Sequence, residues 1–252
     1  MNTSFSSSRI LILGAYGGIG SALVHRLAGQ GARIVAAGRD PQRLEPLCQD
    51  TGAHPLTVET TSSTSMEAAI AHTVEHLGGL DGIALCVGSM LLKPAHLTSD
   101  DEWHATLTTN LTSAFLTIKY GAKAIGASGG GSIVLISTVA ARLGLANHEA
   151  IAAAKAGIEG LARSAAATYA SRNVRINCIA PGLVQTPLSV KITSNEAALN
   201  ASKAMHPLGR IGQPDDIAAS LEWLLNPAQR WITGQIIGID GGLSTVRSRS
   251  TG

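Results

Sequence analysis

Aromatic side chains are scarce in this sequence. They make up 3% of its 252 residues, as two Phe, three Trp and three Tyr. Charged residues are also few, at 14%, and 19 basic against 17 acidic side chains leave a net charge of +2. A nucleic-acid-binding protein usually has a strongly basic face and aromatic rings on which bases stack. The composition therefore argues against a nucleic-acid partner.

Cysteine is rarer than most residues, and no run predicts a membrane span. The three cysteines, Cys48, Cys86 and Cys178, are odd in number and far apart. They form neither a disulfide framework nor a zinc-ligand set, so no metal is predicted and a reducing cytoplasm is the expected location. The uncharged run 126–141 is broken by glycine and rich in serine, which indicates a loop and a strand. The polar start of the chain lacks the apolar core of a signal peptide.

Apolar residues, in contrast, are abundant at 45%, which excludes a disordered chain. Short aliphatic runs alternate along the sequence with Ala-rich amphipathic stretches. Strands are predicted at 9–13, 33–37, 55–58, 81–86, 132–137, 174–179 and 235–239. Helices are predicted at 18–29, 41–49, 64–77, 100–126, 148–170 and 214–226.

This alternation predicts an α/β fold: a single Rossmann-like, doubly wound domain over residues 1–252. It has a parallel sheet of about seven strands with helices on both faces. Residues 1–8 are expected to form a polar N-terminal tail and residues 244–252 a flexible C-terminal tail.

A glycine-rich loop follows the first predicted strand and leads into the first predicted helix. Glycine lets the backbone turn sharply and approach a pyrophosphate, while the free N–H groups at the helix start bind the anion. The alternative is a tight strand-to-helix turn without a ligand. The βαβ context favours a bound dinucleotide. The residues assigned to its binding are Gly14, Tyr16, Gly17, Gly18, Ile19 and Gly20.

The tip of the second strand bears on which cofactor is bound. An acid there would hydrogen-bond the ribose 2′-hydroxyl of NAD and repel the extra phosphate of NADP. Gly38 stands where that acid is expected, and the adjacent Arg39 is able to pair with a phosphate. NADP(H) is therefore favoured over NAD(H). Asp40 and Arg43 leave a second interpretation open, a simple ion pair at the start of a helix.

Several segments in order resemble the short-chain dehydrogenase/reductase family, and the resemblance covers nearly the whole chain. They are Gly14-xxx-Gly18-x-Gly20, Asn110 in TTNLTSAF, Ser137-Thr138 at a strand end, Lys155 in AIAAAKAGIEGLARS, Asn177-xxx-Pro181-Gly182-xxx-Thr186, PLGRIGQPDDIA and ITGQIIGIDGG. The resemblance implies a Rossmann-like sheet, a nicotinamide cofactor, and a homodimer or homotetramer built partly on helices 100–126 and 148–170.

At the reaction site the resemblance implies four cooperating side chains, an Asn, a Ser, a Tyr and a Lys. Asn110 would support a water relay, and Lys155 would hold the nicotinamide ribose and assist the Tyr. Thr138 has the usual spacing of the serine that orients the carbonyl, with Ser137 just before it. The simpler alternatives are a buried amide, a solvated lysine and hydroxyls that cap a loop. The remaining residues assigned to cofactor binding are Glu59, Cys86, Gly88, Pro181, Gly182 and Thr186, and Asn110 and Lys155 are assigned to it as well.

The proton donor is where this chain departs from the family pattern. The family spacing is Tyr-xxx-Lys, and four residues before Lys155 stands Ile151, which has no proton to give. His148, seven residues before Lys155, falls on nearly the same helical face and is the candidate substitute, because an imidazole titrates near neutrality. In the alternative, His148 and Glu149 are ordinary first-turn residues behind Asn147 as the N-cap.

Together these features predict an NADP(H)-dependent oxidoreductase with a nonstandard proton donor. It would transfer a hydride between the cofactor and a small carbonyl or alcohol substrate. Two alternatives stay open, because one fold serves many functions. The first is a non-redox enzyme, such as an isomerase, cyclase or dehydratase, and the second is a catalytically silent nucleotide-binding subunit. Segment 188–207, expected to border the substrate, identifies no substrate.

Overall fold

A computed structural model of the chain describes residues 5–247. Its strands are β1 (Arg9–Leu13), β2 (Arg33–Gly38), β3 (His54–Thr57), β4 (Gly82–Leu85), β5 (Gly131–Ile136), β6 (Val174–Pro181) and β7 (Ile236–Ile239). They form one sheet in the order β3-β2-β1-β4-β5-β6-β7, and every pair in it is parallel. The predicted seven-stranded parallel sheet is confirmed.

Two layers of helices enclose the sheet. The α-helices are α1 (Gly18–Ala28), α2 (Pro41–Thr51), α3 (Ser63–Leu77), α4 (Asp100–Leu107), α5 (Ser113–Ala127), α6 (Glu149–Tyr169), α7 (Val190–Thr193), α8 (Glu196–Met205) and α9 (Pro214–Leu225). The buried side chains of α3, α5 and α6 share one apolar core, and those of α1, α2 and α9 share the other. Within residues 5–247, no helix is long and apolar enough to cross a bilayer.

The strand residues show why the sheet needs both layers. In β1, Leu11 and Leu13 belong to one core while Ile10 and Ile12 belong to the other, because successive strand side chains point to opposite faces. All four are at most 2% exposed. Burying a side chain of this size stabilises the fold by about 1.5 to 3 kcal/mol, so neither face of the sheet is left open to water.

The strand order reverses beside β1 and creates a crevice there. The chain runs from β1 to β2 and β3 on one side, then returns to place β4 on the other side of β1. Ligands of such sheets bind outside the carboxyl ends of the strands at this reversal. Gly14 and Cys86, which directly follow β1 and β4, meet at this edge; a Cβ on Gly14 would lie 2.9 Å from the Cys86 carbonyl carbon.

Two predicted segments have more structure than the sequence pattern indicated. The single helix predicted at 100–126 is two α-helices joined by a π-helical segment, Thr108–Thr112. Such a segment inserts an extra residue into the turn and is frequent at functional sites. The expected substrate loop at 188–207 contains the short helices α7 and α8.

The chain ends also differ from the predicted tails. Phe5 is fully buried among the residues of α1 and α2, and the Ser8 amide donates to its carbonyl at 2.8 Å. The expectation of a tail at 1–8 is therefore corrected for residues 5–8, because one aromatic side chain anchors the segment. At the other end the Ser244 amide donates to Asp240 at 2.9 Å. Residues 1–4 and 248–252 of the two expected tails lie outside the described residues.

Candidate active site

The start of α1 is built to receive an anion. Its N-cap is Gly17, which has no side chain to bond the first amides, and its first turn contains no acidic residue. A Cβ at Gly20 would overlap the Gly14 carbonyl oxygen, so the loop folds this tightly only with glycine there. Uncapped amides and the positive end of the helix dipole suit a pyrophosphate. The residues of the loop therefore fit a dinucleotide cofactor.

Tyr16 covers the tip of β2. A Cβ at Gly38 would overlap the Tyr16 ring, so this position has no room for the acid that binds a 2′-hydroxyl unless the ring moves. The Arg43 guanidinium lies 4.3 Å from the centre of the same ring. Arg39 is exposed next to Gly38. Two cationic side chains, Arg39 and Arg43, thus lie at the tip of β2.

The ion pair considered for Asp40 is not what the structure shows. The Asp40 carboxylate accepts from the Gln42 amide at 3.0 Å and caps α2, while Arg43 stacks on Tyr16. Glu59 lies nearby, and hydrogen bonds from Thr61, aided by the charge of Arg39, hold the pKa of its carboxyl below the usual value. Glu59 is therefore held as an anion close to Arg39.

A cavity of about 430 Å³ opens at the carboxyl edge of the sheet, next to this cradle. The predicted site residues that line it are Ile19, Cys86, Gly88, Ser137, Thr138, His148, Lys155, Pro181, Gly182 and Thr186. The predicted residues that lie outside its lining are Gly14, Tyr16, Gly17, Gly18, Gly20, Arg39, Glu59 and Asn110. The reaction-site candidates other than Asn110 thus meet at the cavity, while most residues predicted to bind the phosphates and the adenosine lie along the β1–α1 loop and β2.

Lys155 projects from the second turn of α6 into the wall of the cavity and is only 7% exposed. Its ammonium donates to the Ile136 carbonyl at 2.8 Å, and burial lowers its pKa to about 8. Burial also raises the pKa of the adjacent Cys86 thiol to about 12. Cys86 is consequently a neutral wall residue and no thiolate nucleophile.

Asn110 lies in the π-helical segment and is completely buried. Its side-chain amide donates to Ser89 Oγ and to the Thr106 carbonyl, both at 2.9 Å, and its Oδ1 accepts from the Ser89 amide at 3.2 Å. A Cβ at Gly88 would lie 3.1 Å from Asn110 Oδ1 and 3.4 Å from Lys155 Nζ. Asn110 and Lys155 therefore approach each other across Gly88, although Asn110 stays behind the cavity wall.

The two hydroxyls at the end of β5 differ in their partners. Ser137 is 3% exposed and donates to Glu159 Oε1 at 2.9 Å, which ties it to α6. The other oxygen of Glu159 forms an ion pair with Arg142 Nε at 2.9 Å. Thr138 is partly exposed, and its Oγ1 accepts weakly from the Ala140 amide at 3.4 Å, as the capping alternative described. Thr138 is the hydroxyl more available to a ligand.

The start of α6 is one residue later than predicted. Asn147 is not the N-cap, because its φ is +64°, a left-handed conformation that asparagine tolerates. Helix α6 begins at Glu149, and its N-cap is His148, whose side chain makes no capping hydrogen bond. His148 Nδ1 lies 2.7 Å from the Ala146 carbonyl oxygen. One helical turn before Lys155, Ile151 is 5% exposed and lines the same cavity.

Three polar contributors were missed by sequence reasoning. Glu159 is a buried carboxylate one turn after Lys155, and its position in an apolar Ala-rich helix is a signal that the sequence does contain. Ser89 holds Asn110 but has no distinguishing pattern. His206, 4% exposed, lines the cavity from the end of α8. Its place in the site depends on the packing of α7 and α8, which we call the lid helices.

The geometry so far defines a class: a Rossmann-like nucleotide-binding domain with a reaction cavity at the carboxyl edge of its sheet. Comparison with known proteins identifies the family within this class. The family model described as enoyl-(acyl carrier protein) reductase, of the short-chain dehydrogenase type, matches residues 14–244. The chain belongs to the short-chain dehydrogenase/reductase family.

Individual relatives in this family are dehydrogenases and reductases. The chain is 32% identical over 253 residues to cis-4-hydroxycyclohexanecarboxylate dehydrogenase of Sinomonas cyclohexanicum, covering 98% of this chain and 100% of that protein. It is 34% identical to D-threitol dehydrogenase of Mycolicibacterium smegmatis, over 92% and 91% of the two chains. A solved short-chain type dehydrogenase/reductase from Mycobacterium ulcerans superposes with a TM-score of 0.93 at 28% identity, over 97% and 92% of the chains.

Proposed function

We propose that the protein is an NADP(H)-dependent oxidoreductase that transfers a hydride between the nicotinamide and a small carbonyl or alcohol substrate. We further propose His148 as the proton donor. The observation that carries the proposal is the convergence of an anion-binding helix start, Lys155 and His148 on one cavity. When bound, the cofactor supplies the hydride. The protein must supply the rest: positioning, exclusion of water, and the proton.

A donor is needed because hydride delivery to a carbonyl leaves an alkoxide, which a nearby acid must protonate. Ile151 occupies the cavity wall one turn before Lys155 and has no acidic proton. Thr138 lies at the same cavity and is suited to orient the carbonyl oxygen. The acid must therefore come from another lining residue.

Two histidines line the cavity, and their hydrogen bonds separate them. His148 Nδ1 faces the Ala146 carbonyl, which only accepts, so this nitrogen carries a proton and Nε2 is left for a ligand. His206 Nδ1 likewise donates to the Ser202 carbonyl at 2.6 Å, but its Nε2 accepts from the Leu183 amide at 3.3 Å. Both nitrogens of His206 are occupied, whereas His148 Nε2 is available, and in the imidazolium form of His148 this nitrogen would give its proton to the alkoxide and return to the neutral ring.

The NADP(H) preference has its support at the tip of β2. The Tyr16 ring fills the space beside Gly38 that a ribose-binding acid would need, and Arg39 stands exposed next to it. The Asp40 carboxylate caps helix α2. Within residues 5–247, Arg39 forms no ion pair with Asp40. A guanidinium in that position pairs well with a phosphate.

Assembly and location complete the proposal. We place the protein in the cytoplasm as a homodimer or homotetramer formed partly through the α4–α5 and α6 faces. Trp103 on α4 and Phe115 on α5 are 38% and 49% exposed, which is unusual for such large apolar side chains unless a partner covers them. Light scattering on the purified protein, repeated with Phe115→Glu, tests the assembly: a shift to a smaller species supports this interface, and an unchanged mass contradicts it.

The donor is tested by variants in the presence of NADPH and a panel of ketones and aldehydes. His148→Ala should lower kcat by about 10² to 10⁴ while NADPH affinity, read from nicotinamide fluorescence, stays the same. It should also remove one ionisation from the pH–rate profile. His96→Ala, an exposed histidine that does not line the cavity, is the matched control.

Two outcomes would overturn parts of the proposal. If His148→Ala turns over as the wild type does, with the same pH profile, His148 is not the donor. If the wild type is inactive and Ile151→Tyr creates activity, the natural reaction is not carbonyl reduction. Failure to bind either NADPH or NADH would contradict the oxidoreductase itself.

A further inference from the structure

The wall of the reaction cavity is predominantly apolar and carries little charge, although two histidines and several hydroxyls also line it, and this restricts the substrates that it will accept. Lys155 is the only lysine, arginine, aspartate or glutamate among the described residues that line it. Its ammonium is already bonded to the Ile136 carbonyl. Elsewhere the wall consists mainly of aliphatic and methionine side chains, among them Val87, Val139, Leu145, Ile151, Leu183 and Ile192.

The apolar surface continues out of the cavity onto its rim. Met90, Leu188 and Met205 line the cavity and are nevertheless 38%, 52% and 46% exposed. They come from three separate segments: the stretch after β4, the stretch before α7, and the end of α8. Exposed apolar side chains that gather at one place, rather than scatter singly, mark a ligand-binding surface.

Charge near the mouth does not reach the cavity. The two lysines of the lid helices, Lys191 and Lys203, are absent from the lining. Arg210 lies by a smaller cavity, where it is bonded to Asp216 at 2.6 Å. A carboxylate or phosphate on the substrate would therefore meet no free lysine or arginine among the described lining residues, and its burial there is strongly unfavourable.

From these observations we infer that the substrate is an uncharged ketone or secondary alcohol carried on an apolar ring or chain that extends from the cavity to its methionine and leucine rim. This inference rests on the proposed function, since it describes the substrate of that same site. Thr138 and His148 supply the polar contacts at the reacting oxygen, and the rest of the substrate is held by apolar burial. Substrates with a carboxylate or with several hydroxyl groups, such as those in the names of the relatives, are expected to be disfavoured by the same wall.

A ketone series with NADPH tests the inference. It comprises cyclohexanone, its 4-ethyl and 4-butyl derivatives, 4-oxocyclohexanecarboxylate and a four-carbon ketose. Each added methylene should raise kcat/KM about fourfold until the rim is passed, since burying one methylene is worth about that factor. The carboxylate and the ketose should fall at least about 100-fold below the butyl compound. A flat alkyl series, or a preferred carboxylate, would overturn the inference.

A rim variant makes the test specific. Met205→Lys places a cation at the mouth, on a side chain that is 46% exposed and so is not needed for folding. It should improve the ratio of carboxylate to butyl compound by about tenfold. Trp231→Lys is the matched control, because Trp231 is 97% exposed and lies outside the lining. Equal effects of the two variants would contradict the rim assignment.

Binding measured without turnover separates the two proposals. The melting temperature of the NADPH-loaded protein is recorded with each ketone, since a ligand of the native state raises it. If no ketone reacts but the stabilisation still grows along the alkyl series, the oxidoreductase proposal fails and the apolar site stands. If ketones react without dependence on chain length, the apolar site fails and the oxidoreductase stands.

Discussion

The two ends of the candidate site differ in the groups that form them. The phosphate end consists of backbone: amides at the start of α1 and glycines whose neighbours leave no room for a side chain. The reaction end consists of side chains that meet from α6, the β5 end and the lid helices. A site made of backbone tolerates almost no substitution, whereas a side-chain site exchanges one group for another while the fold persists. That contrast explains how the cofactor architecture is retained while Ile151 faces the reaction cavity.

The largest effect of a single substitution is expected at the phosphate end of the site. Gly20→Val should abolish measurable NADPH binding, a loss of more than about 1,000-fold, because any Cβ there overlaps the Gly14 carbonyl and distorts the loop. Nicotinamide fluorescence titration measures it, with circular dichroism to verify folding. Gly144→Ala, at a position with no heavy atom near the added Cβ, should bind normally. Retained binding in Gly20→Val would mean that the loop does not hold the cofactor.

At the reaction end, Lys155→Met should separate activity from stability. Removing the ammonium should lower kcat/KM by about 10² to 10⁴, while the free energy of unfolding at pH 7 rises by about 1 to 3 kcal/mol. Burial favours the neutral amine of Lys155, whose pKa falls from 10.5 to about 8. The unfolded chain therefore binds this proton more tightly, and the wild type loses stability as the pH falls from 10.5 to about 8.

The pH dependence supplies the control for Lys155→Met. Its advantage in urea unfolding should be full at pH 7 and clearly smaller at pH 9.5, where most of the wild-type lysine is already neutral in the folded protein because its pKa is about 8. Lys123→Met, at an exposed lysine of α5, should show no such dependence. An advantage that is constant with pH would assign it to packing rather than to the buried charge.

A smaller effect is expected at the tip of β2, where the proposed contact with the cofactor is made by a side chain, that of Arg39. Arg39→Ala should weaken NADPH by about 10- to 100-fold, the usual worth of one or two charge-assisted hydrogen bonds, and change NADH less than about twofold. Titration of both cofactors at low and moderate salt measures the preference. Arg230→Ala, an exposed arginine that does not line the reaction cavity, is the control. Equal losses for NADPH and NADH would contradict the contact with the 2′-phosphate.

The features that the sequence predicts are those with local signals, and the features that it does not predict depend on packing between distant segments. All seven strands and the long helices were predicted to within a few residues, because aliphatic periodicity and glycine breaks are local signals. The glycine loop was predicted for the same reason. The π-helical segment around Asn110, the left-handed Asn147 and the lid helices were not, since they depend on packing between distant segments. The pairing of Ser137 with Glu159 is likewise visible only after α6 lies beside β5.

The smallest effect is expected from removing the hydrogen bond between Ser137 and Glu159. This substitution also distinguishes the two hydroxyls at the end of β5. Ser137→Ala removes a donor to Glu159, whose buried carboxylate then keeps Arg142 as its one side-chain partner among residues 5–247, so we expect a loss of about 1 to 3 kcal/mol in the free energy of unfolding. Its kcat should change less than about threefold, because the hydroxyl is committed to α6. Thr138→Val should do the reverse, lowering kcat more than stability. A large loss of kcat in Ser137→Ala at unchanged stability would instead place Ser137 against the substrate.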